Sequence, residues 1–156
     1  MGSVHDRLAE LGLTLPVVAA PLAAYVPAVV DGDRVWTSGQ LPFVDGVLAA
    51  TGKVGDGDGL VAPADAAGLA RICALNALAA VQSVVGDLDR VARIVKVVGF
   101  VASDPSFVGQ PAVVNGASEL LGQVFGDRGV HARSAVGVAS LPLDAPVEVE
   151  LVAALR

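Results

Sequence analysis

The sequence predicts an α+β sandwich, with helices packed on one face of a mixed sheet in the order β-β-α-β-α-β-β. Three observations carry this. Two segments, 63–85 and 112–125, repeat apolar residues at helical spacing. Val-rich runs of strand length surround them. Hydrophobic residues make up 54% of the chain but aromatics only 4%, so the core must be built from Val, Ala and Leu.

The elements follow in order. Residues 3–11 carry a Ser cap and helical apolar spacing, which predicts a short extra helix before the first strand. A Pro-rich connector runs on from it, the two together covering about residues 1–20. Residues 26–39 read as a hairpin turning at Asp31-Gly32. Residues 44–62 are rich in Gly and Asp and read as a loop. The long helix has Pro63 near its start, Asp65 in its first turn, apolar residues at 69, 72, 73, 80 and 84, and Gly86 to stop it. Residues 91–102 are β-branched and apolar on both faces, as expected of a strand in the middle of a sheet. After the second helix, residues 132–140 and 147–155 flank a Pro/Asp turn and read as a closing antiparallel hairpin. No internal repeat or composition break divides the chain, so a single domain over 1–156 is expected.

Composition excludes several classes of function. Net charge is −6 with ten scattered Lys and Arg, unlike the basic patch of a nucleic-acid binder. The one cysteine, Cys73, permits neither an intramolecular disulfide nor a Cys-based zinc cluster. His5 and His131 are too far apart in sequence to suggest a metal site, so the expectation is metal-free and cytoplasmic. The mean hydropathy of +0.67 calls for a membrane segment or a large subunit interface. The longest uncharged run, residues 12–30, is interrupted by Pro16, Pro21 and Pro27 and follows no basic segment. The surplus apolar surface is therefore assigned to oligomerisation, not to a membrane.

Charges inside the two closing runs mark the place to look for chemistry. Arg133 stands in the first, Glu148 and Glu150 open the second, and a planar guanidinium suits a carboxylate. If the two runs pair tightly, Arg133 faces Ala154 and Glu148 faces Ala139. That places the two charges six residues, or roughly 20 Å, apart. A small ligand touching both would need two subunits.

These residues sit in an ordered set. Tyr25 comes first, then Thr37-Ser38-Gly39-Gln40-Leu41-Pro42, Asn76, Val114-Asn115, Ala132-Arg133-Ser134, Leu141-Pro142 and Val147-Glu148-Val149-Glu150. The set, over about residues 20–155, resembles the Rid (YjgF) family of imine and enamine deaminases. The resemblance implies a chorismate-mutase-like fold assembled as a homotrimer with sites between subunits. It also implies cofactor-free hydrolysis of 2-imino or enamino acids to 2-oxo acids and ammonia. Arg133 would grip the substrate carboxylate, Glu148 would position or activate the attacking water, and Tyr25, Ser38 and Asn115 would orient both.

The chain departs from the family pattern at Ala135, Gly137, Ser140, Ala23-Ala24, Pro111 and Gly116-Ala117-Ser118. The first helix and the 44–62 loop are additions. These departures mark a divergent subgroup with a reshaped pocket. The alternative function is a non-catalytic trimer that binds small 2-oxo or carboxylate ligands. Other readings stay open residue by residue. Arg133 could pair with a neighbouring subunit, Tyr25 could fill the core, Asn115 could hold a loop, and Ser38 could satisfy a turn. Glu150 is read as structural and Cys73 as a buried small hydrophobe. Trp36 is expected in core or interface, and His131 has no assigned role.

Overall fold

A computed structural model describes residues 2–18 and 24–156. Part of the Pro-rich connector, residues 19–23, lies outside the described residues. Helix α1 (Val4–Glu10) is closed by a capping box in which Ser3 and Asp6 each bond the other's backbone N–H. Strands β1 (Ala28–Asp31) and β2 (Arg34–Thr37) form the first hairpin. Its turn residues are Gly32 and Asp33, one position later than the sequence suggested, and Gly32 takes the positive φ of 59° that the turn requires.

The 44–62 stretch is not all loop. Phe43–Val44 (β3) and Val47–Leu48 (β4) pair across Asp45-Gly46, both at positive φ. The remainder is tied to the main sheet where Val54 bridges Ser103 and Val61.

Helix α2 runs from Pro63 to Val85 and ends at Gly86, as the sequence predicts. It is long and apolar enough to cross a bilayer, but most of it is buried in the core. Its buried stripe of Ala66, Leu69, Ala70, Cys73, Ala77, Leu78 and Val81 includes three alanines and a cysteine, small side chains that let it lie close to its neighbours. Val84, placed on that stripe from sequence, is 40% exposed. Strand β5 (Val91–Ala102) leads to α3 (Gln110–Phe125), then β6 (Ala132–Val138) and β7 (Val147–Leu155). A side chain on Gly116 of α3 would overlap the Ala67 carbonyl of α2, so glycine there sets how closely the two helices approach.

The five-stranded sheet has the order β1-β2-β7-β5-β6, with both long helices against one face. This overturns the closing hairpin. β5 lies between β6 and β7, parallel to the first and antiparallel to the second. The cause is visible locally. The β6–β7 connection is a wide turn through Pro142–Asp144, with Leu143 and Asp144 at positive φ. It straddles the end of β5, where Ser103 N–H bonds Val138 O and Ala102 N–H bonds Pro146 O. A strand, a crossover helix and a strand make β5-α3-β6 a parallel unit. The apolar β5 then gains a partner on each edge.

Candidate functional site

Register decides where the charged residues go. Arg133 is level with Val97 and Glu148 with Phe100 on the two sides of β5. The two residues are thus two strands and three register positions apart, roughly 14 Å between backbones. Val97 is fully buried under the helices, whereas the positions alternating with it face away from them. Arg133 therefore rises on the helix face at the sheet edge, and Glu148 projects from the open face. The predicted pairings of Arg133 with Ala154 and Glu148 with Ala139 do not exist, because β6 and β7 do not touch.

The Arg133 half is built by β6 and α3. Arg133 Nη1 donates to Asn115 Oδ1 at 2.7 Å and to Ser118 Oγ at 3.2 Å, and Nη2 donates to the Pro111 carbonyl at 3.3 Å. Asn115 and Ser118 are three apart on one helix, so they share a face. All three acceptors are neutral, and Arg133 has no carboxylate partner among the described residues. A guanidinium carries five N–H groups. The bonds described account for two N–H groups of Nη1 and one of Nη2, so Nε–H and one Nη2–H are left over. Ala135 and Gly137 follow Arg133 on the same face of β6, level with Gly99 and Val101. A side chain on Gly137 would crowd the Gln110 amide.

Sequence reasoning missed two members of this half. His131 Nε2 lies 2.9 Å from Ser118 Oγ, and its Nδ1 lies 2.6 Å from the Gly129 carbonyl oxygen. The signal available was only that His131 sits two residues before Arg133. Ser118 was visible merely as a departure from the family pattern.

The Glu148 half is built by β7 and the chain leaving β2. Gly39 lies so close to the Glu148 carboxylate that a side chain there would overlap it. Gln40 pairs with Val149 through two backbone bonds, and the buried Asn76 donates to the carbonyls of Leu41 and Phe43. This anchoring from α2 holds the 38–43 segment across Glu148. Ser38 Oγ donates to the Val26 carbonyl at 2.6 Å, tying in the segment that carries Tyr25. Tyr25 is 46% exposed and fills no core gap. Burial, and then the nearby Glu150 carboxylate, raise the pKa of Glu148 above the ordinary glutamate value. Burial also pushes the Cys73 thiol well up, with Glu148 adding to it, so Cys73 behaves as a buried apolar group.

The structure thus brings Arg133 to Asn115 and Glu148 to Gly39, next to Ser38, and keeps Arg133 and Glu148 on opposite faces of one sheet. The open face, from which Glu148 projects, is apolar for a surface. Trp36 is 51% exposed beside Val152, with Val98, Lys96 and Glu150 around it.

Fold and sequence converge on one class, a domain in which a pair of helices packs on one face of a five-stranded mixed sheet. The family described as "YjgF/chorismate_mutase-like, putative endoribonuclease" matches residues 5–155. The chain belongs to this family. It is 45% identical to Protein TCP17 of Trypanosoma cruzi, over 99% of this chain and 96% of that one. Among solved structures, a "putative endoribonuclease" from Shewanella oneidensis MR-1 is 33% identical with a TM-score of 0.94, covering 99% of this chain and 100% of that one. The protein Atu1372 of unknown function from Agrobacterium tumefaciens is 45% identical with a TM-score of 0.89, covering 98% and 92%. Escherichia coli TdcF, solved with bound serine, is 27% identical with a TM-score of 0.60, covering 92% and 95%.

Proposed function

We propose that this chain hydrolyses reactive 2-imino or enamino acids to 2-oxo acids and ammonia, or performs a related reaction on a small carboxylate, at sites between the subunits of a homotrimer and without a cofactor. The observation that carries this is the Arg133 guanidinium, held by neutral groups with two N–H groups left over. Three neutral acceptors hold the guanidinium in place and none neutralises it, which is the state a carboxylate receptor needs. The serine bound by TdcF is a ligand of the same class, small and carboxylate-bearing.

An imine is already electrophilic, so a gripped substrate needs a placed water and a route for protons. Glu148 is the group for the water, since its raised pKa favours taking a proton and giving it back. It cannot reach the ligand of its own Arg133, so a second copy supplies it. The apolar open face with Trp36 is the surface such a copy would cover. Asn115 fixes the guanidinium, and Ser38 and Tyr25 would orient the substrate and the water from the Glu148 side. The ribonuclease in the family description fits this chain poorly, because its net charge is −6.

The test is release of ammonia and 2-oxo acid from enzymatically generated 2-aminoacrylate. The wild type is expected to exceed background and Arg133→Ala to match it. Background rates for both would overturn the proposal. One observation favours a second reading, a trimer that binds small 2-oxo or carboxylate ligands without turnover. Ala135 and Gly137 place no reactive group beside Arg133. Arg133-dependent stabilisation by 2-oxo acids with no ammonia release would select that reading.

A further inference from the structure

We propose that Ser118 and His131 form a proton relay serving the ligand held by Arg133, with Ser118 as the catalytic residue that touches the ligand and His131 as the positioning residue behind it. This rests on the deaminase reading above and adds the group that protonates the imine nitrogen, a role no residue described so far fills.

The geometry is a chain of three contacts. Gly129 O accepts from His131 Nδ1, His131 Nε2 meets Ser118 Oγ, and Ser118 Oγ accepts from Arg133 Nη1. A carbonyl only accepts, so Nδ1 carries a hydrogen whatever the charge of the ring. The carbonyl is fixed: Gly129 is buried, and a side chain on it would overlap the Leu121 backbone of α3. Orientation of the ring is therefore set by the main chain and its exchangeable nitrogen is always Nε2. With the ring neutral, the Ser118 hydroxyl donates to Nε2. With the ring charged, Nε2–H and Arg133 both donate to Ser118 Oγ, and the hydroxyl hydrogen turns toward the cleft lined by Asn115, Ser118, His131 and Arg133. This arrangement of donor, base and orienting acceptor is the one that activates hydroxyl groups in enzymes generally.

The protons balance as follows. The water oxygen bonds to the imine carbon as the neighbouring subunit's Glu148 takes a water proton and the C=N pair moves onto nitrogen. Nitrogen takes the Ser118 hydroxyl proton while Ser118 takes the Nε2 proton of His131. In the collapse, the carbinolamine hydroxyl proton returns through Ser118 to His131 as the C=O bond forms. The C–N pair leaves with nitrogen, and the Glu148 proton completes ammonia.

The protein has two histidines, so ring ¹⁵N resonances report His131 directly, with His5 as the internal control. Pyruvate added to the full-length protein is expected to move the His131 Nε2 resonance and not those of His5. Ser118→Ala should lose that response while still binding pyruvate in a thermal-shift assay, and Ser118→Thr, which keeps a hydroxyl, should retain it. An unmoved His131 resonance, or an equal response in Ser118→Ala, overturns the relay. In turnover, Ser118→Ala and His131→Asn should each lower kcat about 100-fold or more, the range of a lost proton transfer, while KM stays within about threefold. The double variant should be no worse than the poorer single one, as expected of residues acting as a unit. Additive losses, or a rise in KM alone, also overturn it. A wild type with no deaminase activity refutes the deaminase reading instead, and the ring resonances alone then decide the relay.

Discussion

Replacing Arg133 with lysine keeps the charge and removes the shape, which separates a bidentate grip from simple attraction. The guanidinium spends three N–H groups on Asn115, Ser118 and Pro111 and keeps Nε–H and one Nη2–H for a ligand. An ammonium has three donors at one centre and cannot serve both sets. At least one charge-assisted bond to the ligand is lost, at about 1.5–3 kcal/mol. That corresponds to about 10- to 150-fold weaker binding. Isothermal titration with pyruvate measures this, with Arg133→Ala run alongside. Losing the bonds to Asn115, Ser118 and Pro111 should cost folding up to about 0.5–1.5 kcal/mol each, so the titrations are run well below Tm. Affinity within about twofold of wild type for both variants would refute the carboxylate grip.

Two further predictions concern stability. Glu148 has a raised pKa in the fold, so the folded state binds more protons than the unfolded one, and its stabilising contribution, complete below the ordinary value of 4.5, is lost as pH rises through the shifted value. Glu148→Gln should accordingly raise Tm at neutral pH, with the gain fading in acid; a Tm gain unchanged down to pH 4 would contradict the assignment of the shift. Gly116→Ala forces α2 and α3 apart at the Ala67 carbonyl, an overpacking of about 1–3 kcal/mol set against about 1 kcal/mol of helix propensity. Thermal unfolding should show a lower Tm for this variant, and a higher one would mean that the helices are not seated on that glycine.

Much of the fold was legible because short-range signals carry it. Pro63 and Gly86 bracket α2, Ser3 and Asp6 cap α1, and the doubly apolar run 91–102 is an interior strand. The closing hairpin was misread for a physical reason. Two apolar runs around a Pro/Asp turn satisfy the hairpin pattern, but pairing depends on which strand can satisfy both edges. The strand–helix–strand order of 91–138 was the better guide. The separation of Arg133 and Glu148 within one chain, read from the false hairpin, has a different origin. They occupy opposite faces of the sheet. That Asn115 meets Arg133 was not legible, since it depends on where α3 crosses the edge strand. Ser118 and His131 escaped notice because their contacts join residues 13 apart through a turn whose course no local pattern predicts. Gly39 carried no signal either, as its meaning is the closeness of a carboxylate more than a hundred residues away in sequence.

The central claim is that each working site joins the Arg133 half of one subunit to the Glu148 half of another. Co-expression of Arg133→Ala and Glu148→Gln chains, with mixed oligomers verified by native mass spectrometry, tests it directly. Each variant alone should be inactive toward 2-aminoacrylate. In randomly mixed trimers about a quarter of sites combine an intact Arg133 with a neighbour's intact Glu148, so activity should return to about a quarter of wild type. Verified mixed oligomers as inactive as the parents would place both residues' work within one chain and contradict the account.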